Sequence, residues 1–263
     1  MHIFGILRTA LAVACAVVAT AAVSAPTRAE PPEANPFSQP QTMAIERIIR
    51  DYMMQHPEIL LDVQSELEAK AEARRIGTIQ KTLHDHKDAI YHDPESPFAG
   101  NPNGDVIVVE FLDYNCPYCR KGSGDIAKLI ASDPNVKVVF QEYPNLSPTS
   151  EPVALIAVAA KRQGKYYQLH RALLDLKGPT TAARAIDVAG KLGLDVARLQ
   201  LDAELPEVRK VVERSRAVAA KLGLEGTPMF LIGDHYIQGV PDNFYNELTK
   251  LVGEVRKTGC MVC

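Results

Sequence analysis

Two cysteines set two residues apart, Cys116-Pro117-Tyr118-Cys119, follow closely on the apolar run Val106-Ile107-Val108-Val109-Glu110-Phe111. This juxtaposition constrains the fold more than any other feature of the chain. A buried strand that runs into a short loop and then opens a helix puts both cysteines in the first helical turn. There the unpaired backbone N–H groups and the positive end of the helix dipole favour thiolate over thiol. Cys116 is therefore the expected nucleophile. Cys119, one turn further in and shielded from solvent, is expected to resolve a mixed disulfide that Cys116 has formed.

Other uses of the pair fit less well. A structural zinc takes four ligands, and the other pair, Cys260-Met261-Val262-Cys263, stands at the end of the chain. A purely structural disulfide across this spacing closes too small a loop to restrain an unfolded chain much. His84, His86 and His92 lie close in sequence, but positions i and i+2 do not share a helix face. No metal ligands are assigned, and dithiol chemistry calls for no cofactor.

Arg8 and the Ala- and Val-rich run from Thr9 to Val23 read as a secretory signal peptide, too short and alanine-rich for a membrane span. Cleavage after Ala25 would leave Pro26 first, so the preferred site follows Thr27-Arg28-Ala29. Cys15 then leaves with residues 1–29, and Ala12-Val13-Ala14 before it lacks the leucine of a good lipobox. An exported CxxC protein belongs in an oxidising compartment, here a bacterial periplasm. The chain carries 29 basic and 32 acidic residues, and losing Arg8 and Arg28 makes it more acidic. Without a clustered basic surface, nucleic acid is not an expected partner.

Residues 30–41 are a proline-rich lead that cannot sustain a helix, and order is expected from Thr42. Met43, Ile45, Ile48, Ile49, Tyr52 and Met53 recur at helical spacing up to Pro57, which marks a bend and can begin a second helix. That helix, expected from Pro57 to about Ala89, has a seam at Leu60, Val63 and Leu67. A second stripe, Ile76, Ile79, Leu83 and Ile90, is offset from the first, with Arg74-Arg75 and Gly77 at the change, where a flexible or partly unwound joint is expected. Residues 42–92 hold too few large apolar side chains for a core of their own, and the seam favours self-association over packing on the rest of the chain.

From Asp93 a turn-rich lead enters the strand Val106–Phe111; the redox helix follows from Cys116 to about Ala131, then a strand over Val136–Glu142, making a βαβ unit with parallel strands. Helical periodicity over 150–163, 166–174, 181–192 and 205–222 indicates a helical insertion of about 150–222. Thr227-Pro228 opens an apolar strand, His235-Tyr236-Ile237 is its hairpin partner, and a last helix spans about Asp242–Arg256.

A CPYC opening a helix, a helical insertion and a Thr-Pro opening a late strand together resemble the DsbA family of thioredoxin-fold thiol–disulfide proteins, over residues 93–257. The resemblance implies an α/β thioredoxin fold with an inserted helical domain, Cys116 attacking, Cys119 resolving, Pro117 and Tyr118 as the active-site dipeptide, and Thr227-Pro228 as a cis-proline loop that meets substrate. Glu110 stands where such proteins carry an acidic residue beneath the site, placed to relay protons to Cys119. Ile45-Glu46-Arg47-Ile48-Ile49-Arg50-Asp51-Tyr52 with His56-Pro57-Glu58-Ile59-Leu60 is similar to the N-terminal segment of the suppressor-of-copper-sensitivity protein C (ScsC) group. That likeness implies an N-terminal helical oligomerisation segment over 42–92, a homotrimer, disulfide-containing client proteins and a membrane-bound thiol reductase as electron donor.

Three functions are compatible with these residues. A periplasmic disulfide isomerase or reductase leads, and the resemblance implies a link to copper tolerance. A DsbA-like dithiol oxidase would use the same site with electrons flowing the other way. A Cu(I)-binding protein would draw on Cys260, Met261 and Cys263, although a disulfide within a terminal tail of residues 258–263 accounts for the same cysteines.

Overall fold

The computed structural model describes residues 36–260. The expected signal peptide and its cleavage site, the first part of the proline-rich lead and Met261–Cys263 lie outside the described residues. The chain divides into two compact units at Asp62/Val63.

In the first unit, α1 spans Gln39–Gln55 and starts earlier than expected. Pro40 sits in the first turn, where its missing N–H breaks no helical bond, and the Gln41 side chain accepts from the Ser38 N–H at 2.9 Å. Helix α2, Glu58–Lys87, follows beyond Pro57, and its residues from Val63 on belong to the second unit. No residue of α1 is buried, and Ile48, Ile49, Tyr52, Met54, Leu60 and Leu61 are all more than half exposed.

The second unit is built on a five-stranded sheet of β1 (Phe98–Gly100), β2 (Val106–Leu112), β3 (Val136–Glu142), β4 (Met229–Ile232) and β5 (His235–Gln238), in the order β1-β3-β2-β4-β5. As the βαβ reading expects, β2 and β3 are parallel and joined by α3, Pro117–Ser132. Strands β1 and β4 pair antiparallel on either side, and β4–β5 is the hairpin. The three-residue β1 lies within the lead that reads as turns. It ends at Gly100, whose φ of +83° and position 2.4 Å (as a hypothetical Cβ) from the Val136 carbonyl admit no side chain. The insertion comprises α4 (Ser150–Ala160), α5 (Tyr166–Leu174), α6 (Ala182–Lys191), α7 (Val196–Ala203) and α8 (Pro206–Lys221), before the closing helix α9 (Phe244–Thr258). Periodicity did not mark α7; it is capped by Asp195, which accepts from the Arg198 N–H at 3.0 Å.

Strand pleating sends alternate residues to opposite faces. Val106, Val108, Leu112, Val138, Phe140, Phe230 and Ile232 join one apolar cluster with α3, the insertion and α9. Val109, Phe111, Val139, Met229 and Leu231 join another with Val218, Ala219, Ile79, Leu83, Ile90 and Tyr91. Ile79, Leu83 and Ile90 of the second stripe are thus buried inside their own unit rather than left for another copy, whereas Ile76 stays exposed. The helix runs unbroken through Arg74, Arg75 and Gly77, where a joint was expected. Its non-helical residue is His86, just before a short π-helical stretch at Asp88–His92. Arg75 further fixes the helix by donating to Gln238 Oε1 at 2.6 Å, and Tyr236 donates to Glu72.

Candidate active site

Cys116 is the N-cap of α3, one position ahead of its expected place within the first turn. Its backbone is extended, and its sulfur accepts from the Cys119 N–H at 3.4 Å. Pro117 occupies the first helical position, where its fixed φ suits the turn and no hydrogen bond is lost. On the other side the Cys116 thiol donates to the Thr227 carbonyl at 3.1 Å, and the Thr227–Pro228 peptide is cis. The structure therefore brings Cys116, Cys119, Thr227 and Pro228 together, with Tyr118 exposed at the rim (59 %).

The two sulfurs have opposite electrostatic surroundings. The Cys119 thiol beside it, together with the backbone N–H groups of Cys119 and Tyr118, brings Cys116 down to about 6, against the effect of burial. Burial first, then the neighbouring Cys116 and Glu110, push Cys119 well above the usual thiol range. Both are free thiols.

Glu110 lies on the central strand β2, only 1 % exposed. Neither carboxylate oxygen has a hydrogen-bond partner. Burial, followed by the charges of Glu142 and Cys116, raises it to about 8. It does not meet solvent at a strand edge, the alternative for a charged residue in such a run.

Sequence reasoning missed the groups around it. Glu142, at the end of β3, is fully buried and accepts from the hydroxyls of Tyr114 and Tyr166, each at 2.8 Å from Oε1. Burial raises it to about 8 despite those two donors. Tyr114 has one hydroxyl hydrogen and gives it to Glu142, so the 3.2 Å contact with His170 Nδ1 requires the imidazole to be the donor there. Burial, then Arg171, holds His170 down to about 3 and hence neutral. Asp113 accepts from Asn115 N, Ser150 Oγ, Asn145 N and Leu146 N at 2.8–3.0 Å, fixing the loops after β2 and β3. Arg120 ties the first turn of α3 to the insertion through the carbonyls of Leu176 and Gly178, both at 2.8 Å, and Thr180 Oγ1 at 2.8 Å. Period-two alternation would have placed Glu142 on the face of Glu110; no local pattern announces Arg120's partners.

Among the described residues no cluster of ligand-type side chains could hold a metal ion. Cys260 is disulfide-bonded, so its sulfur is not a thiolate in this state. No helix among the described residues is long and apolar enough to cross a membrane.

Comparison with known proteins agrees with this geometry. A family model described as thioredoxin matches residues 92–253, and one described as the copper resistance protein ScsC N-terminal domain matches residues 41–74. A thioredoxin-like oxidoreductase from Silicibacter pomeroyi DSS-3 is 41 % identical with a TM-score of 0.63, covering 66 % of this chain and 99 % of that one. The thiol-disulfide exchange protein alpha-DsbA2 from Wolbachia pipientis is 32 % identical with a TM-score of 0.64, covering 70 % and 98 %. The catalytic domain of Proteus mirabilis ScsC is 25 % identical with a TM-score of 0.62, covering 68 % and 99 %. The curated relatives are Na(+)/H(+) antiporters; with NhaA 1 of Salinispora arenicola the match is 29 % identical over 145 residues, 53 % of this chain but 22 % of the antiporter. The thioredoxin match over most of the chain and the ScsC-type segment ahead of it place this chain in the thioredoxin family, as a DsbA-like member with an ScsC N-terminal domain.

Proposed function

We propose that this chain is a periplasmic thiol–disulfide oxidoreductase acting as a disulfide isomerase or reductase on misoxidised proteins. The observation that carries the reading is the geometry within one helical turn: Cys116 at the N-cap of α3, its sulfur accepting the Cys119 N–H at 3.4 Å and lowered to about 6, beside the buried and suppressed thiol of Cys119. A thiol at about 6 is roughly nine-tenths ionised at neutral pH, yet not so acidic that its nucleophilicity is spent.

In this mechanism the Cys116 thiolate attacks one sulfur of a client disulfide, and the other client sulfur leaves as a thiolate. A second client thiolate can then displace Cys116, which rearranges the client without net electron transfer. Alternatively Cys119 gives its proton to Glu110 and attacks Cys116, releasing the client as a dithiol and leaving the Cys116–Cys119 disulfide. Two electrons pass from protein to client, and a membrane-bound thiol reductase returns them. Pro117, Tyr118, Thr227 and Pro228 form the surface that meets the client. The exposed apolar side chains of α1 and early α2, within the reach of the ScsC-type match, support assembly into a homotrimer, which would hold a client by several sites at once. Copper tolerance follows in this reading from repairing proteins misoxidised by the metal.

A second reading, the DsbA-like dithiol oxidase, is favoured by the same stabilised thiolate, because stabilising the reduced form makes the disulfide more oxidising.

Reactivation of a substrate with scrambled disulfides by the reduced full-length mature protein tests the proposal. Isomerisation that requires Cys116, persists in Cys119→Ser and weakens in Ile48→Asp/Leu60→Asp supports it. Absence of isomerisation, with rapid oxidation of dithiols by the disulfide form and an oxidised Cys116–Cys119 pair in cells, would instead establish the oxidase.

A further inference from the structure

Two buried carboxyls lie beneath the site where the resolving step needs one. Glu110 pairs with Phe140, and Glu142 with Leu112, so they are diagonal neighbours on one face of β2 and β3, within reach of each other's side chains. Their hydrogen bonding is opposite. Glu142 Oε1 accepts two hydroxyls, whereas Glu110 accepts none and Glu142 Oε2 is also unpartnered. A buried anion with two donors is far less costly than one with none. Glu142 is thus the first of the two to lose its proton, and its charge then opposes ionisation of Glu110.

The surrounding charges allow one anion rather than two. Glu142 faces Asp113 and Tyr114 from the loop after β2 and Tyr166 from α5, and His170 of α5 meets the Tyr114 hydroxyl; Glu110 is influenced by Cys116 on α3 and by Arg171 on α5. Cys119 on α3 and Tyr167 on α5 feel Glu110 in turn. With His170 neutral, Arg171 is the nearby cation identified among these groups, and it is also engaged by Ser123 Oγ at 3.1 Å.

We propose that Glu142, held by Tyr114 and Tyr166, is a positioning residue that keeps the proton on Glu110 and so slows closure of the Cys116–Cys119 disulfide. The inference rests on the reading of Glu110 as proton acceptor for Cys119. In closure, the Cys119 S–H proton passes to the Glu110 carboxylate, the Cys119 thiolate attacks Cys116, the bond from Cys116 to the client breaks, and the client sulfur leaves as a thiolate. One disulfide forms as one breaks. While Glu110 stays protonated, the mixed disulfide persists and a client thiol has time to attack it. Glu142 thereby biases the outcome toward isomerisation over reduction.

The test is a quenched-flow reaction of the reduced full-length protein with glutathione disulfide. Intact mass separates the glutathione adduct from the closed disulfide, and the first-order closure rate is followed against pH. The native rate should rise about a midpoint near that of Glu110. Glu142→Gln should move the midpoint down by about one unit and speed closure several-fold near pH 8, where native Glu142 loses its proton. Tyr166→Phe, which removes one donor from Glu142, should move it the same way by less. Adduct formation, governed by Cys116, should keep its pH profile in both. Folded variants, checked by circular dichroism, whose closure midpoint does not move would overturn the inference alone, and if Glu142→Gln does not fold, Tyr166→Phe decides. A native protein with no closure step would overturn it together with the resolving role of Cys119.

Discussion

The Cys116 thiol donates to the Thr227 carbonyl across 3.1 Å, latching the start of α3 to the residue two ahead of β4. A thiolate has no hydrogen to donate, so ionisation replaces this bond with an anion facing a carbonyl oxygen. Reactivity and the release of this contact are therefore one event. Alkylation of Cys116 should follow a midpoint of about 6, with Cys119 unmodified near neutrality. The Thr227 carbonyl carbon resonance should titrate with the same midpoint, and a resonance insensitive to pH across that range would rule out the coupling.

Stability of the reduced protein should fall with rising pH across the range set by its buried carboxyls. Glu110 and Glu142 are raised from 4.5 to about 8, so the folded chain retains protons that the unfolded chain surrenders. Their contribution is complete below about 4.5 and is lost as pH climbs through about 8. Cys116 acts in the opposite sense: lowered from 9.0 to about 6, it contributes fully above the unfolded value and loses that contribution as pH falls through about 6. Glu110→Gln should flatten the carboxyl-driven decline and raise stability at the alkaline end by about 1–3 kcal/mol. Urea unfolding at both ends of the window measures this.

Arg120 offers a test of how the site is held. Its planar fork serves the Tyr114, Leu176 and Gly178 carbonyls and Thr180 Oγ1, an array a single ammonium cannot match. Arg120→Lys should cost about 1–3 kcal/mol. Amide exchange should quicken first between Leu174 and Ala182, where Leu176, Gly178 and Thr180 lie, and uniform exchange across the chain would contradict this placement.

Gly100→Ala should be costly for so small a change. The added methyl would meet the Val136 carbonyl at 2.4 Å on a backbone with φ of +83°. A loss of about 2–3 kcal/mol in chemical denaturation is expected, with β1 the strand most affected.

Much of this architecture is readable from alternation and spacing. The runs Val106–Phe111 and Val136–Glu142 declare buried strands, and Glu110 stands out because a carboxylate in such a run must be either at an edge or suppressed. Glu142 escaped notice because Gln141-Glu142 at a strand end resembles the point where a strand meets water. Its burial depends on tyrosines from two other segments. The supposed joint at Gly77 shows why a local signal can lose: glycine within a helix costs about 1 kcal/mol, while burying Ile79 and Leu83 contributes about 1.5–3 kcal/mol each. Strand β1 has three residues, too few to display a period. The contacts that tie Asp113 to Leu146, Asn115 to Thr180 and Arg120 to Thr180 join positions more than thirty residues apart, a distance at which spacing carries no information.

Helix α2 begins with Leu60, Leu61, Val63 and Leu67 at least half exposed and ends, within its 30 residues, with Ile79 and Leu83 sealed against the sheet. If the proposed self-association covers the exposed side chains of Val63 and Leu67, it involves the same helix whose Ile79 and Leu83 close the core of the second unit. Mass action on association then becomes resistance to unfolding. The melting temperature should consequently fall on dilution, and proteases should find their first cuts in dilute samples. The durability of the redox unit would then depend on how many copies share its compartment.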